Sequence, residues 1–449
     1  MKSIFNYNFS SIFLLQIINL KILLRLIMKN TKDLEKKHKK GISRRSLIKS
    51  SVAGGIAVSA LGFPAISYGG KKMTITTAYF KTYPGHAPEA YILKQKLFAR
   101  YAEKFGYDIT AKHVQAQTGV AALEGVLAGE LDWTHHGESP LATIISNGLP
   151  VHCGSPGDGG YGNTLMVRPD SKIGTLDDLV ERRARIALRM ASGQHGFCDA
   201  LFRAAYGKGP EELGIEMVDM SPSEAMLFPK GLDAVVSHAV IPYLMLAKGV
   251  CKFLVNNEGE PGPAWKGGIG SDGKVDFFKK ANGYPEGFIL YRGYNSYRKE
   301  LVEEHPNLYI SYMLACAEAL KAFDQTTLEG QKKAFEHGKD FWDVPPDHVR
   351  LQFAKSIAMK HRRWAWITEG DLKACVWGAP MLYKAGRIRK PVKWDMVKKY
   401  FSATAPLEKK AWEMINRFPT VAEMTRKDVA DMRGYPTWEM DKWEAKDVV

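Results

Sequence analysis

From Met73 onward, short β-rich runs alternate with helical stretches, and this alternation constrains the fold more than any other feature of the chain. Met73 to Tyr79 carries three Thr with Ile75 and Tyr79, residues that suit a strand. Ala90 to Phe105 reads as one helix stopped by Gly106, Tyr107 to Val114 as a strand, and Gly119 to Ala128 as a helix closed by Gly129. Leu131 to His135 reads as a third strand, and Pro140 opens a helix that stops at Asn147-Gly148. Short strands spaced by helices of this length indicate parallel βαβ units.

The pattern then repeats. A short helix starts at Thr175, and strands read at Ala184–Met190, Ile215–Met220 and Leu232–Ser237. Helices read at Gly196–Ala205, Pro222–Phe228 and Pro242–Lys248. Gly129, Leu131-Asp132, His135-His136 and Pro140 in the first portion are echoed by Gly231, Leu232-Asp233, His238 and Pro242 in the second. The expected fold is α/β with two lobes on one plan, each a mostly parallel sheet flanked by helices. Ligands of open α/β sheets sit beyond the carboxyl ends of the strands. Two lobes facing one another therefore make a cleft, which a hinge closes. Past residue 285 the chain is more helical, over Pro306–Asp324, Leu328–Phe341, Asp347–Met359 and Asp371–Ala385. From Ala405 it is polar and Trp-containing, with no clear element.

The formal charge of +15 suggests nucleic acid until it is located. Twelve Lys and Arg against Asp33 and Glu35 put +10 in residues 1–49, leaving +5 for 71–449. No basic motif with interleaved aromatics occurs, so nucleic acid is not the expected partner. Ser43-Arg44-Arg45-Ser46-Leu47-Ile48-Lys49 precedes an uncharged, Gly- and Ala-rich run to Gly70, and Ala65 and Ser67 suit cleavage after Ser67. Residues 28–67 resemble a twin-arginine export signal, and uncleaved anchoring is the competing reading. Residues 1–27 read as an extension ahead of a true start at Met28. The five cysteines, Cys153, Cys198, Cys251, Cys316 and Cys375, are scattered without a CxxC pair and read as buried free thiols.

Ser192-Gly193-Gln194-His195-Gly196 joins a strand to a helix, where exposed N–H groups and the helix dipole favour an anion. The alternative is a turn that needs only glycine flexibility. His135, His136 and Gly137 end a strand at the expected cleft, as ligand contacts or as ordinary packing. A metal shared with His195 or His238 is disfavoured, because adjacent strand residues point to opposite faces. His238 and Tyr243 flank Pro242 at the matching place in the second lobe, lining the cleft or filling the core. Tyr79, Lys81 and Tyr83 follow the first strand as a ligand sandwich with a charge, or as a solvated loop. Gln115, Gln117 and Thr118 stand between strand and helix as possible hydrogen-bond donors, and Trp364 and Trp366 read as packing. No convincing pair of catalytic carboxylates is present.

Gly129-Glu130-Leu131-Asp132, Pro140-Leu141-Ala142 and Gly148-Leu149-Pro150-Val151 together resemble the first-lobe signature of the nitrate/sulfonate/taurine-type ABC transporter solute-binding family. Leu165-Met166-Val167 with Asp170 to Leu179 resembles that family's crossover into lobe two. Ala191 to His195, Gly231 to Ala234 with Pro242, and Ala385 to Ile388 fit its later elements. The likeness spans roughly 73–395. Residues 84–100 lack the usual aromatic-plus-GLF element, which only Phe98 matches. The resemblance implies a type 2 periplasmic-binding-protein fold with lobe one from 73–164 and 286–400, lobe two from 165–285, and a C-terminal extension over 401–449. It implies a periplasmic, monomeric, non-enzymatic receptor without a cofactor. Such a receptor delivers a small anion of the organosulfonate, taurine or nitrate class to a membrane permease. An aromatic acid or a pyrimidine precursor is the alternative ligand. A sensor kinase is the alternative partner, and a pyridoxal-phosphate pyrimidine synthase on the same fold is the enzymatic alternative.

Overall fold

In a computed structural model the described residues are 70–80, 87–116, 118–159, 163–190, 192–238, 241–255, 292–322, 336, 362–384, 386–415 and 435–443. The export signal, the helix expected at 347–359 and, but for Glu336, the helix expected at 328–341 lie outside them. Residues 65–449 form one compact unit, built on two sheets.

The first lobe begins β1 (Lys71–Tyr79), α1 (Ala87–Lys94), α2 (Leu97–Glu103), β2 (Tyr107–Gln115), α3 (Gly119–Leu127), β3 (Trp133–Gly137), α4 (Glu138–Asn147) and β4 (Val151–Gly159). The second lobe follows as β5 (Asn163–Val167), α5 (Leu176–Glu181), β6 (Arg185–Leu188), α6 (Gly193–Tyr206), β7 (Glu216–Asp219), α7 (Pro222–Ala225), β8 (Ala234–His238), α8 (Ile241–Ala247) and β9 (Lys252–Val255). The chain then returns to the first lobe with β10 (Arg292–Arg298), α9 (Lys299–Glu304), α10 (Pro306–Ala322), β11 (Arg362–Trp364), α11 (Glu369–Lys384), α12 (Trp394–Phe401) and α13 (Ala405–Met414).

The strand orders are β11-β4-β10-β3-β1-β2 and β7-β6-β8-β5-β9. β1 pairs in parallel with β2 and β3, and β6 with β7 and β8. The remaining pairings are antiparallel: β10 and β11 run against the other four strands of the first sheet, and β5 against the other four of the second. The cause is the double crossing between lobes. β4 and β9 leave a lobe while β5 and β10 enter one, and a strand entering from the crossing runs against those that end there.

The expected single helix over Ala90–Phe105 is two. Ile92 and Leu97 are 4% and 1% exposed. Five residues apart, they would lie about 140° apart around one continuous helix. A turn at Gln95-Lys96, with Lys96 at φ 51°, lets both meet the sheet. α4 starts at Glu138 rather than Pro140, and α6 at Gly193 rather than Gly196.

One face of the first sheet buries Ile75, Phe98, Tyr101, Trp133 and Tyr297 against α10; the other buries Leu123, Leu141 and Ile145 with Leu372 and Val376 of α11. The second sheet is covered by Leu176, Leu179, Phe197 and Leu201 on one side, and by Phe228, Ile241 and Met245 on the other. The described residues past 400 pack in the first-lobe core. Glu408 is fully buried, and its Oε1 accepts from Ser155 N at 3.0 Å and Tyr309 Oη at 2.7 Å. Trp438 packs on Trp366 and Trp412 with ring centroids 5.6 and 6.3 Å away. All five cysteines are buried, and none is in a disulfide.

Candidate functional site

Strand register fixes what meets at the crossing. Asn163 of β5 lies opposite His238 of β8. Arg292 of β10 lies opposite Gly159 of β4, and Gly293 lies opposite Gly137 of β3. Gly159 and Asn163 are four residues apart, so their Cα atoms are within about 14 Å. The ends of β3 and β8, where sequence placed His135 to Gly137 and His238, therefore lie at the crossing between the lobes, as does the first turn of α6.

That turn is tied to the second sheet by its own side chains. Ser192 is the N-cap of α6: its Oγ accepts from Gln194 N at 3.2 Å and donates to Arg189 O at 2.6 Å. Gln194, 2% exposed, accepts from Arg189 N through Oε1 at 2.6 Å. This orients the amide so that Nε2 donates to His238 Nδ1 at 2.8 Å. His238 is thereby the Nε2–H tautomer, and burial lowers its pKa to about 4. Asn163 Nδ2 donates to Gly193 O at 3.2 Å, joining the turn to β5. Ser192 and Gln194 thus build the turn with their side chains. Gln194 N is held by Ser192 Oγ and Gly196 N by Ser192 O, so what the turn can offer an anion is the N–H of Gly193 at its start and the aligned dipole. His195 is 4% exposed. Its pKa is lowered by burial, opposed by Asp199 and Glu211 and reinforced by the charge of Arg387 from the first lobe. The contact between α6 and α11 brings the two lobes together here.

His135 and His136 lie on opposite faces of β3. His135 Nδ1 is 2.9 Å from Asn295 Oδ1, on the Trp133 face. His136 Nδ1 donates to Gly137 O at 3.0 Å, and its Nε2 accepts from Ser296 Oγ at 2.6 Å. Both nitrogens of His136 are thus committed inside the lobe, and burial lowers its pKa to about 4. His136 is accordingly a packing residue, which corrects its assignment as a ligand contact. Thr118 is corrected in part: its Oγ1 caps α3 by accepting from Ala121 N at 3.1 Å.

Gly137 is the N-cap of α4, and Tyr79 is half-buried at the end of β1. Lys81, Tyr83 and Gln117 lie outside the described residues, and of Tyr243 only the backbone in α8 is described. Trp366 is fully buried packing. Sequence reasoning missed β10 altogether, and with it Asn295, Ser296 and the Arg292–Asp371 pair. In that pair Nε and Oδ1 are 3.3 Å apart, and the side chains are 2% and 1% exposed. The two β-prone tyrosines, Tyr294 and Tyr297, were the available signal. Among the described residues, no group of three or more His, Cys, Asp or Glu side chains is placed to hold a metal ion.

No family model and no curated protein matches the chain. Solved structures do. The alkanesulfonate-binding protein SsuA from Xanthomonas axonopodis pv. citri, bound to MOPS, is 16% identical with a TM-score of 0.52, covering 71% of this chain and 95% of its own. A putative periplasmic sulfonate-binding protein SsuA from Methylobacillus flagellatus KT is 14% identical at 0.53, covering 76% and 97%. The periplasmic nitrate-binding protein NrtA from Synechocystis PCC 6803 is 15% identical at 0.52, covering 80% and 91%. The chain has the two-lobed α/β fold of periplasmic binding proteins.

Proposed function

We propose that the chain is an extracytoplasmic solute-binding protein that holds a small anion between its lobes and delivers it to an ABC transporter permease. The observation that carries this reading is the first turn of α6. It is locked to β5 and β8 at the end of the lobe where the chain crosses to β3 and β10. The turn offers the Gly193 N–H and a positive dipole end, worth about 0.3–1 kcal/mol and more when partly buried. Micromolar affinity needs about 8 kcal/mol, so contacts from the first lobe, at the ends of β1 and β3, must supply most of it. Organosulfonates, nitrate and aromatic carboxylates fit this chemistry. Residues 28–67 are the proposed twin-arginine signal, and lobe one (73–164 and 286–400) and lobe two (165–285) are the proposed domains.

The test is thermal denaturation of the 68–449 chain with a panel of such anions. A ligand at 100 times its dissociation constant adds about 2.7 kcal/mol of stability. At least one anion should raise the melting temperature, and Gln194→Ala should weaken its effect. The reading fails if no anion binds, or if every anion that binds ignores that substitution.

A further inference from the structure

The two edges of the first sheet are unlike. β11, at one edge, is three residues long and carries Arg362 and Arg363. β2, at the other, runs nine residues without Pro or Gly, and its register with β1 is unbroken from Tyr107 to Gln115. Among the described residues no strand lies beyond it. The edges of the second sheet, β7 and β9, are four residues each. Proteins keep exposed edges short, or interrupt them with Pro or a bulge, because their outward backbone groups recruit another strand. β2 has none of these defences.

The ladder with β1 fixes which of its groups point outward. Lys71 lies opposite Tyr107 and donates from N to Gly106 O at 2.9 Å; Tyr79 lies opposite Gln115 and accepts at O from Ala116 N at 2.9 Å. Even-numbered residues of β2 thus turn their N–H and C=O toward β1, while Ile109 and Ala111 turn theirs away from it. The Ile109 side chain enters the core. Asp108, Thr110 and Lys112 project from the other face, and all three are exposed. Among the described residues neither Asp108 nor Lys112 has an ion-pair partner.

We propose that β2 is a dimerisation edge, and that its partner is β2 of a second copy of this chain, antiparallel about a two-fold axis at Thr110. That axis sets Ile109 opposite Ala111, whose outward backbone groups then exchange hydrogen bonds. It also sets Asp108 opposite Lys112 of the second copy, at the closer, non-hydrogen-bonded position, and symmetry makes that contact twice. Opposite charges directly across a ladder stabilise it and like charges destabilise it. Moving the axis to Ile109 or to Ala111 leaves both charges facing uncharged residues. The spacing of Asp108 and Lys112 therefore matches the strand to its own copy in one register, which an extended segment of unrelated sequence would not satisfy. The chain is then a dimer, where the family resemblance implies a monomer. The pairing does not depend on what the lobes hold between them.

Sedimentation equilibrium of the 68–449 chain, from micromolar to millimolar concentration, measures the association. The native chain should form a reversible dimer. Lys112→Asp opposes two carboxylates at both contacts and should weaken the dimer about tenfold or more, as should Asp108→Lys, which opposes two ammonium groups. The double variant Asp108→Lys with Lys112→Asp restores opposite charges across the ladder and should recover native dimerisation. Ala111→Pro removes an outward N–H that β1 does not use and should abolish the dimer. Circular dichroism of each variant separates a lost contact from a lost fold. The proposal is overturned if the native chain stays monomeric at millimolar concentration, or if either single reversal or Ala111→Pro, once folded, dimerises like the native chain. It is equally overturned if the double variant dimerises as weakly as the single ones.

Discussion

Gln194→Glu tests the interlobe site at its most informative bond. In the native chain Arg189 N donates to Gln194 Oε1 at 2.6 Å, which leaves the amide nitrogen to donate to His238 Nδ1 at 2.8 Å. A carboxylate keeps the first bond but opposes an acceptor to an acceptor at the second. The contact is restored only when His238 carries a proton on Nδ1. An opposite charge at this range favours the charged ring, so the His238 titration should move up from about 4 by roughly one to three pH units. The carboxylate also acts on the ligand. At roughly 5–8 Å from a bound anion and an effective dielectric near 20, one negative charge costs about 2–3 kcal/mol. That is roughly a 30- to 150-fold loss of anion affinity. The loss should be largest above the new His238 midpoint and smaller below it, where the imidazolium compensates. Imidazole nitrogen chemical shifts followed by NMR give the midpoint, and calorimetry at two pH values gives the affinity. A His238 that still titrates near 4 would show that the amide does not set its tautomer. Anion affinity insensitive to the new charge would place the ligand elsewhere.

Three further perturbations test the framework. The native chain should weaken as pH falls from 6.5 toward 4, because His113, His136 and His238 stay neutral when folded but take up protons when unfolded. Each contributes up to about 3 kcal/mol, and His136→Asn should remove one proton from the slope of urea-measured stability on pH. Glu408→Ala strips an acceptor from buried Ser155 N–H and Tyr309 O–H and should cost about 3–5 kcal/mol in chemical denaturation. Burial raises the Glu408 pKa against the opposing pull of its donors. Stability should thus fall as pH climbs from the ordinary carboxylate value through the raised one, and Glu408→Gln should flatten that limb. Thr175→Ala removes the capping box with Asp178 at the start of α5 and should cost about 1 kcal/mol by the same assay.

The parts of the fold that sequence conveyed are those written in local terms. Thr175 and Asp178 announce α5 as an N-cap pair, and Gly148 and Gly207 end α4 and α6 at φ 68° and 69°, where a side chain would be strained. What escaped is non-local. The break at Lys96 is dictated by burial of both Ile92 and Leu97 against a sheet whose position the local pattern does not contain. β10 reads as a polar mixture until it lies between β3 and β4, where its Asn and Ser meet the two histidines. The candidate site was legible in place more than in role. The polar atoms of Ser192, Gln194 and His136 are spent on neighbours, most of which only the tertiary fold supplies.

That spending bears on how an anion would be recognised. His238 is held neutral by its environment. Arg189 is 3.2 Å from Asp219, and Arg292 is buried against Asp371. The charges of Arg189 and Arg292 are therefore matched within the protein, while the charge of Arg387 from the first lobe reaches the turn at His195. An anion between the lobes would combine that charge with oriented N–H donors, and such donors reward geometry as well as charge. A site of this kind separates planar nitrate from tetrahedral sulfonate by where its donors point, and closure of the lobes is what would bring the second set of donors, at the end of β3, into register with the first.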